Sequence, residues 1–230
     1  CHQLKILKGA LMSNQSGIHL KSLKVGTSSA SWSAAGFQIT EVKPGISACV
    51  LNGVLLEFDN ELSEQGIYAI GTENIDGDID GLKFFIESTE VEETHLDSRH
   101  PNFVSRIDHL VVTTSDCDRT TKAFAEAGIE VRRVRNFSLG ATEMRQTFFW
   151  LGDVILELVG PEVKSDDEST KIWGLALISE EIEKTVDFLG DFATPLKPAV
   201  QPGRLITTIK TKTFGIDDAL AVMTPHENSK

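Results

Sequence analysis

The sequence predicts an α+β fold in which tandem βαβββ modules pair into two domains, the first of them degenerate. Three observations support this prediction: short β-branched runs separated by turn residues, one helical segment after the opening strand of a unit, and the return of the same order after about 65 residues. The chain has 230 residues, of which 40% are hydrophobic and 24% charged. It can therefore bury a sizeable core.

The most regular module begins at residue 107. Residues 107–114 (IDHLVVTT) predict a strand, Ser115 and Asp116 offer an N-cap for a helix over 117–127, and Gly128 ends that helix. Three more strands follow, over 129–135, 144–151 and 154–159. Gly160-Pro161 then stops the module. The order is βαβββ.

The same order returns from residue 172. A strand over 172–178 precedes a Ser179 cap, a helix over 180–189 and a stop at Gly190. Strands over 204–212 and 219–223 complete this second module. The two modules together predict a complete domain.

The upstream half repeats the pattern more faintly. Its predicted elements are a strand over 20–25, a short helix over 30–35, strands over 37–43, 46–51 and 54–58, and a truncated further copy between 66 and 87. We therefore divide the chain into an N-terminal extension (1–17), a degenerate domain (18–90), a linker (91–104) and a two-module domain (105–230).

Charge and cysteine content narrow the classes of partner. The formal net charge is −12, which disfavours nucleic acid and anionic membranes as partners. Arg132, Arg133 and Arg135 alternate along a predicted strand and are expected on its solvated face. The three cysteines are far apart and form no CxxC pair, which favours a reducing, cytoplasmic location over a disulfide framework. No apolar stretch reaches the length of a membrane span.

The opening DHLVV and the closing LELVGP of the 107–161 module resemble the vicinal oxygen chelate superfamily, which includes glyoxalase I, extradiol dioxygenases and bleomycin-resistance proteins. More narrowly, RQTFFWLGDVILELVGP, WGLAL and AVQPGR resemble a group of bacterial glyoxalase-like proteins. The resemblance covers 105–225 well and 18–90 weakly. It implies that paired modules curl their sheets into a cup.

The resemblance also implies a divalent metal with ligands on the first and fourth strands of two modules. The second domain keeps His109 and Glu157 at these positions but has Gly174 and Ala221 at the other two. Zinc, iron, manganese and nickel are the candidate ions, with an incomplete ligand set. A third ligand would have to come from Gln146, Gln201 or His226. In the first domain, Glu57 faces Ser22 or Lys24, which indicates a vestigial site.

His109 and Glu157 are the candidate catalytic residues, and the alternative for His109 is a hydrogen bond within the cup. Candidate substrate-binding residues are Gln146, Trp173, Gln201 and Arg204. Arg204 either holds a carboxylate or phosphate or ends a surface turn. Trp173 either lines the rim or fills the core, and the core is favoured.

One further motif has the spacing of a calcium-binding loop: Asp76, Asp78, Asp80, Gly81 and Glu87. Such loops lie between two helices, whereas the segments on both sides here predict strands. An Asp-Gly turn is therefore preferred over a calcium site.

These observations predict a protein that binds a small oxygen-rich metabolite in a cupped sheet, as a metal-dependent isomerase, lyase or dioxygenase. The alternative is a non-catalytic binding or sequestering protein of the bleomycin-resistance type. A scaffold for self-association is a third hypothesis, and a homodimer is compatible with each.

Overall fold

The computed structural model describes residues 17–59, 64–88, 99–165 and 169–226. The strands of the first half are β1 (Leu20–Val25), β2 (Thr40–Lys43), β3 (Ile46–Leu51), β4 (Val54–Asp59), β5 (Ile67–Thr72), β6 (Gly77–Ile79) and β7 (Leu82–Ile86). Those of the second half are β8 (Arg106–Thr114), β9 (Val131–Leu139), β10 (Thr142–Leu151), β11 (Val154–Pro161), β12 (Thr170–Ile178), β13 (Lys197–Pro198), β14 (Leu205–Ile209) and β15 (Ala219–Met223). The helices are α1 (Ser29–Ala34), α2 (Cys117–Glu126) and α3 (Ile182–Leu189).

The strands form two mixed sheets. The first has the order β2-β3-β4-β1-β5-β7-β6, and the second has the order β13-β14-β15-β12-β8-β11-β10-β9. In each sheet the opening strands of two modules pair antiparallel at the centre, β1 with β5 and β8 with β12. Each opening strand also pairs in parallel with the last strand of its own module. The predicted α+β fold with tandem modules is confirmed.

The helices lie between the two sheets. Helix α1 contacts the 3-10 turn Thr211–Phe214 of the second half, and α2 contacts β6 of the first half. Leucines on the inner face of each sheet, such as Leu23 and Leu110, are fully buried and belong to one continuous core. Burying such a side chain contributes about 2 kcal/mol, so this shared core holds the two halves together.

A polar junction also joins the halves at Asp80. One carboxylate oxygen of Asp80 accepts from Nε of Arg119 (2.6 Å), and the other accepts from the hydroxyls of Thr120 (2.5 Å) and Thr170 (2.8 Å). Burial raises the pKa of Asp80, but Arg119 and the hydroxyls outweigh burial and hold it below its usual value. The carboxylate of Asp80 is therefore fully engaged by the second half.

The predicted Asp-Gly turn is confirmed. Asp80 and Gly81 both have positive φ, 52° and 86°, and connect β6 to β7 as a two-residue hairpin turn. Strands therefore stand on both sides of the turn, as the sequence predicted. The hydroxyl of Ser22 donates to the carboxylate of Glu87 (2.7 Å), away from this turn.

Several predicted boundaries move in the structure. The strand predicted to stop before Gly160 continues to Pro161, because Arg145 and Met144 on β10 still pair with these two residues. The strand predicted over 204–212 ends at Ile209 and gives way to a 3-10 turn. The strand predicted over 37–43 begins at Thr40. All but one residue of the N-terminal extension, and most of the linker, lie outside the described residues.

The arginines of β9 confirm the prediction of a solvated strand. Arg132 and Arg133 are exposed and Arg135 is partly buried. Among the described residues, no helix has the length and apolar character that crossing a membrane requires.

Candidate functional site

The second sheet has an inner face against the helices and an outer face that carries the predicted site residues. On the inner face, Phe149 packs edge-on against Phe124 of α2, with ring centroids 5.1 Å apart. Side chains alternate along a strand, so Phe148 and Trp150 lie on the opposite, outer face. The strand register extends this face in three rows: Trp150, Ile155, His109, Ala176, Ala221 and Thr208; Arg133, Phe148, Glu157, Val111, Gly174 and Ala219; Arg135, Gln146, Val159 and Thr113.

His109 is held in the middle of this face. It is 3% exposed, and its ring packs edge-on against Phe148 at 6.4 Å between centroids. Its Nδ1 lies 2.7 Å from Oδ2 of Asp108, although the N–H does not point at that oxygen. The side chain is thus a buried imidazole beside a carboxylate.

Asp108 reaches His109 because of a β-bulge. His109 pairs with Ala176 and Ile107 pairs with Leu177, so Asp108 is the extra residue of β8 and has no partner on β12. Adjacent side chains of a regular strand point to opposite faces, and the bulge changes the direction of this one. Sequence reasoning missed Asp108 as a site residue, although it stands directly before His109 in the DHLVV motif.

Arg204 supplies the positive charge for Asp108. It is 2% exposed, and its Nη1 donates to Asp108 Oδ2 (3.1 Å), to Gln201 Oε1 (3.1 Å) and to His226 Nε2 (3.0 Å). Its Nε donates to the carbonyl of Thr224 (2.7 Å). The interpretation of Arg204 as the end of a surface turn is wrong, since the side chain is buried. Its Nη2 is enclosed without a partner among the described residues, and its role in binding a ligand stays a prediction.

The charge state of Asp108 follows from these contacts. Burial raises the pKa of Asp108, but His109 and Arg204 outweigh it and hold the pKa below its usual value. An ionised Asp108 beside Nδ1 favours a proton on that nitrogen, which leaves Nε2 as the lone-pair nitrogen. His109 can then accept a proton or a hydrogen bond through Nε2.

Glu157 is the second polar group of the outer face. Its Oε1 accepts a hydrogen bond from Nε2 of Gln146 at 2.5 Å, and Oε1 of Gln146 is enclosed without a partner among the described residues. Glu157 pairs with Val111, two residues after His109 on the neighbouring strand. His109 and Glu157 are therefore diagonal neighbours on one face, with Cβ atoms about 7 Å apart.

The register also relates the two modules. Ala221 pairs with Ala176, two residues after Gly174, which repeats the offset between Glu157 and His109. A Cβ atom built on Gly174 would lie 2.0 Å from the carbonyl oxygen of Ala219. The backbone of β15 therefore occupies the space that a side chain at position 174 would need.

These donors do not fit a complete metal site. The described residues contain no group of three or more His, Cys, Asp or Glu side chains placed to hold an ion. A metal site in a protein ordinarily takes three or more ligands, and here only His109 and Glu157 stand at suitable positions. Of the three further candidate ligands, Gln201 and His226 are bound to Arg204, and Gln146 donates its amide N–H to Glu157.

Trp173 is not in the core, so that prediction is wrong. Its side chain is 51% exposed because Trp173 is the extra residue of a second β-bulge, between Ile172, which pairs with Val112, and Gly174. The alternative, that Trp173 lines the rim of the site as a substrate-binding residue, stays a prediction.

The first sheet contains a weaker copy of the site. Glu57 pairs with Lys24, so Ser22 takes the position equivalent to His109. The ammonium of Lys24 lies 3.9 Å from the Glu57 carboxylate and 4.7 Å from the centroid of the Phe85 ring. A lysine charge thus occupies this outer face, in keeping with the predicted vestigial site.

A separate cleft of about 600 Å³ lies between the two halves. In its lining, the side chains of His19 and Lys21 bind Glu73, at 2.9 and 3.1 Å. Arg106 pairs with Glu180 outside the cleft lining. No predicted site residue lines this cleft, so the outer face of the second sheet remains the candidate site.

No protein-family model and no curated protein matches the chain. Solved structures do match it. A mutant 4-hydroxymandelate synthase from Streptomyces coelicolor superposes with a TM-score of 0.62 at 10% identity, over 90% of this chain and 92% of that chain. A homoprotocatechuate 2,3-dioxygenase variant from B. fuscum superposes with a TM-score of 0.56 at 14% identity, over 91% of this chain and 71% of that chain.

A xylose isomerase-like TIM barrel/4-hydroxyphenylpyruvate dioxygenase fusion protein gives a TM-score of 0.61 at 10% identity, over 92% of this chain. The match covers 50% of the fusion protein. These proteins share the architecture of paired modules described above. The chain therefore shares its fold with these solved structures, in agreement with the fold that its sequence motifs indicated.

Proposed function

We propose that the outer face of the second sheet binds a small, partly apolar molecule that carries oxygen atoms, with His109 and Glu157 as its central polar contacts. The observation that carries this proposal is the position of these two side chains as diagonal neighbours beside Phe148 and Ile155. Small-molecule sites combine an apolar lining with a few convergent polar groups.

The polar groups favour hydrogen bonding and proton transfer over metal chemistry. The carboxylate of Asp108 lies beside Nδ1 of His109 and favours a proton on that nitrogen, so that Nε2 can accept a proton from a bound hydroxyl or acidic carbon. Gln146 holds the carboxylate of Glu157 in place from the neighbouring strand. A ligand with oxygen atoms on two adjacent carbon atoms could contact both side chains at once.

The metal-dependent isomerase, lyase or dioxygenase remains the second candidate. One observation favours it: His109 and Glu157 occupy the first-strand and fourth-strand positions that the superfamily resemblance assigns to metal ligands. The ion would need a further donor in addition to these two, and it would supply Lewis-acid activation of the ligand oxygens.

The test compares wild type with the His109→Ala/Glu157→Ala variant. Titration with dihydroxynaphthalene, whose hydroxyls are adjacent, should show saturable binding to wild type and at least tenfold weaker binding to the variant. The control is His19→Ala/Glu143→Ala, which removes the same two residue types elsewhere. If the control and the test variant lose affinity equally, the proposal is wrong.

Elemental analysis of the same preparations, purified without chelator or histidine tag, separates the two candidates. Zinc, iron, manganese or nickel near one equivalent in wild type and none in the test variant would favour the metal-dependent enzyme. Unchanged dihydroxynaphthalene binding after dialysis against chelator would favour the metal-independent site.

A further inference from the structure

Two arginines stand on the same face as His109 and Glu157. Arg133 pairs with Phe148 and Arg135 pairs with Gln146 across β9 and β10, and paired residues of antiparallel strands share a face. Both arginines therefore belong to the outer face of the second sheet. They lie at its edge, because β9 is the last strand of the sheet.

Arg133 and Arg135, like the neighbouring Arg132, have no partner among the described residues. Neither Arg133 nor Arg135 makes an ion pair or a side-chain hydrogen bond with any residue in the described part of the chain. Four other arginines there are paired with carboxylates: Arg106 with Glu180, Arg119 with Asp80, Arg145 with Asp118, and Arg204 with Asp108. In a chain of net charge −12, two adjacent cations without a carboxylate partner are a local positive patch.

The row geometry connects this patch to the proposed site. Arg133, Phe148 and Glu157 follow one another directly across β9, β10 and β11. Neighbouring strands are about 4.8 Å apart, so the backbone of Arg133 stands about 10 Å from that of Glu157. The Phe148 ring lies between them and is partly exposed. A flat molecule of that length could lie over the ring and reach both ends.

We propose that Arg133 and Arg135 bind an anionic group, carboxylate or phosphate, on the ligand of this face. The body of the ligand lies against Phe148, and its oxygen-bearing end meets Glu157 and His109. Arginine suits this role because its planar fork matches the oxygens of both anions. This inference rests on the proposed function and adds the substrate class, an aromatic or otherwise flat organic anion.

The experiment uses three probes on one ring system: a hydroxynaphthoate with the hydroxyl opposite the carboxylate, the corresponding carboxamide, and the corresponding naphthyl phosphate. Wild type should bind at least one of the two anions tenfold or more tightly than the neutral amide. The Arg133→Gln/Arg135→Gln variant should lose that preference while its affinity for the amide stays unchanged. Which anion shows the preference identifies the group as carboxylate or phosphate.

The matched control is Lys122→Gln/Lys164→Gln, which removes the same charge from the cleft at the start of α2 on the other side of the sheet. It should keep the full preference. Equal affinity of wild type for anions and amide would overturn the inference, as would an equal loss in the control variant.

Failure of the inference can be told apart from failure of the proposed function. The Phe148→Ala variant should weaken all three probes, the amide included, because it removes the surface on which the ring lies. If Phe148→Ala weakens the amide and the arginine variant has no effect on any probe, only the anion inference is wrong. If no probe binds wild type, both are wrong.

Discussion

The guanidinium of Arg204 lies 3.1 Å from the carboxylate of Asp108, and the two side chains are almost entirely withdrawn from solvent. Arg204 comes just before β14 and Asp108 lies in β8, so this pair joins the edge of the second sheet to its centre. The same carboxylate stands beside Nδ1 of His109. Whatever holds Arg204 in place therefore also determines the position of the imidazole.

The Asp108→Asn variant should lose about 3 kcal/mol of unfolding free energy, because the buried guanidinium of Arg204 then has no counter-charge. Urea unfolding of the two proteins measures the difference. The double variant Asp108→Leu/Arg204→Leu should lose less unfolding free energy than the sum of the losses in Asp108→Leu and Arg204→Leu, since no buried charge is left unpaired. Additive losses would contradict the pairing.

Asp108 also predicts a pH dependence of stability. Its pKa in the folded protein is lowered, so its ionised form stabilises the fold at neutral pH and this contribution disappears as pH falls through the folded pKa. The difference in unfolding free energy between wild type and Asp108→Asn should therefore shrink as pH is lowered below about 4. A difference that is constant from pH 7 downward would count against this assignment.

Asp218 should change the pH dependence of stability in the direction opposite to Asp108. Burial raises its pKa to about 6, although the backbone N–H of Ile67 donates to its Oδ1 at 2.8 Å. Its Oδ2 is enclosed and has no partner among the described residues. A raised folded pKa means that the protonated form stabilises the fold and that this contribution is lost as pH rises through about 6.

The Asp218→Asn variant should accordingly be more stable than wild type at pH 7, by up to about 3 kcal/mol, and the advantage should vanish near pH 4. Thermal unfolding at a series of pH values measures it. Asp217→Asn, the exposed neighbour, is the control and should show a small effect. An Asp218→Asn advantage that does not change with pH would refute the titration of this group.

Asp80→Asn should destabilise the junction between the two halves by about 2 kcal/mol, because the carboxylate accepts from Arg119 and two threonines. Asparagine tolerates the positive φ of this turn, so the backbone is not the cause of the loss. Asp76→Asn, an exposed acid on the same segment, should leave urea unfolding unchanged. Equal urea unfolding midpoints for the two variants would show that the junction contributes little to stability.

Cys117 should react slowly with thiol reagents in the folded protein. Burial raises its pKa to about 11, so at pH 8 only about a thousandth of the side chain is thiolate. Mass spectrometry of iodoacetamide-treated protein should find this cysteine labelled far faster in urea than in buffer. Rapid labelling of the native protein would contradict this prediction.

The sequence predicted the strands wherever alternation and turn residues agreed. The bounds of β1, β3 and β15 were predicted without error, because each is a short segment that ends next to a distinct turn or stop. It also placed His109 and Glu157 on the first and fourth strands of one module, and the observed strand register relates them by the same offset as Gly174 and Ala221 in the next module.

Two physical causes explain the residues whose burial or contacts the sequence did not predict. Trp173 and Asp108 are extra residues of β-bulges, and a bulge cannot be read from local alternation. Arg204 finds its carboxylate 96 positions away in the chain, a contact that depends on how β8, β12, β15 and β14 assemble. The β9 arginines were predicted on a solvated strand face, but the face that Arg133 and Arg135 share with Glu157 follows only from pairing with β10.

The close approach of Gly174 to the carbonyl of Ala219 limits how this cup can be redesigned. A histidine installed at that position would not fit, because the β15 backbone would have to move before any side chain could be accommodated. Engineering of new chemistry on this face should therefore start from His109 on β8 and Glu157 on β11, or rebuild the β12 bulge first.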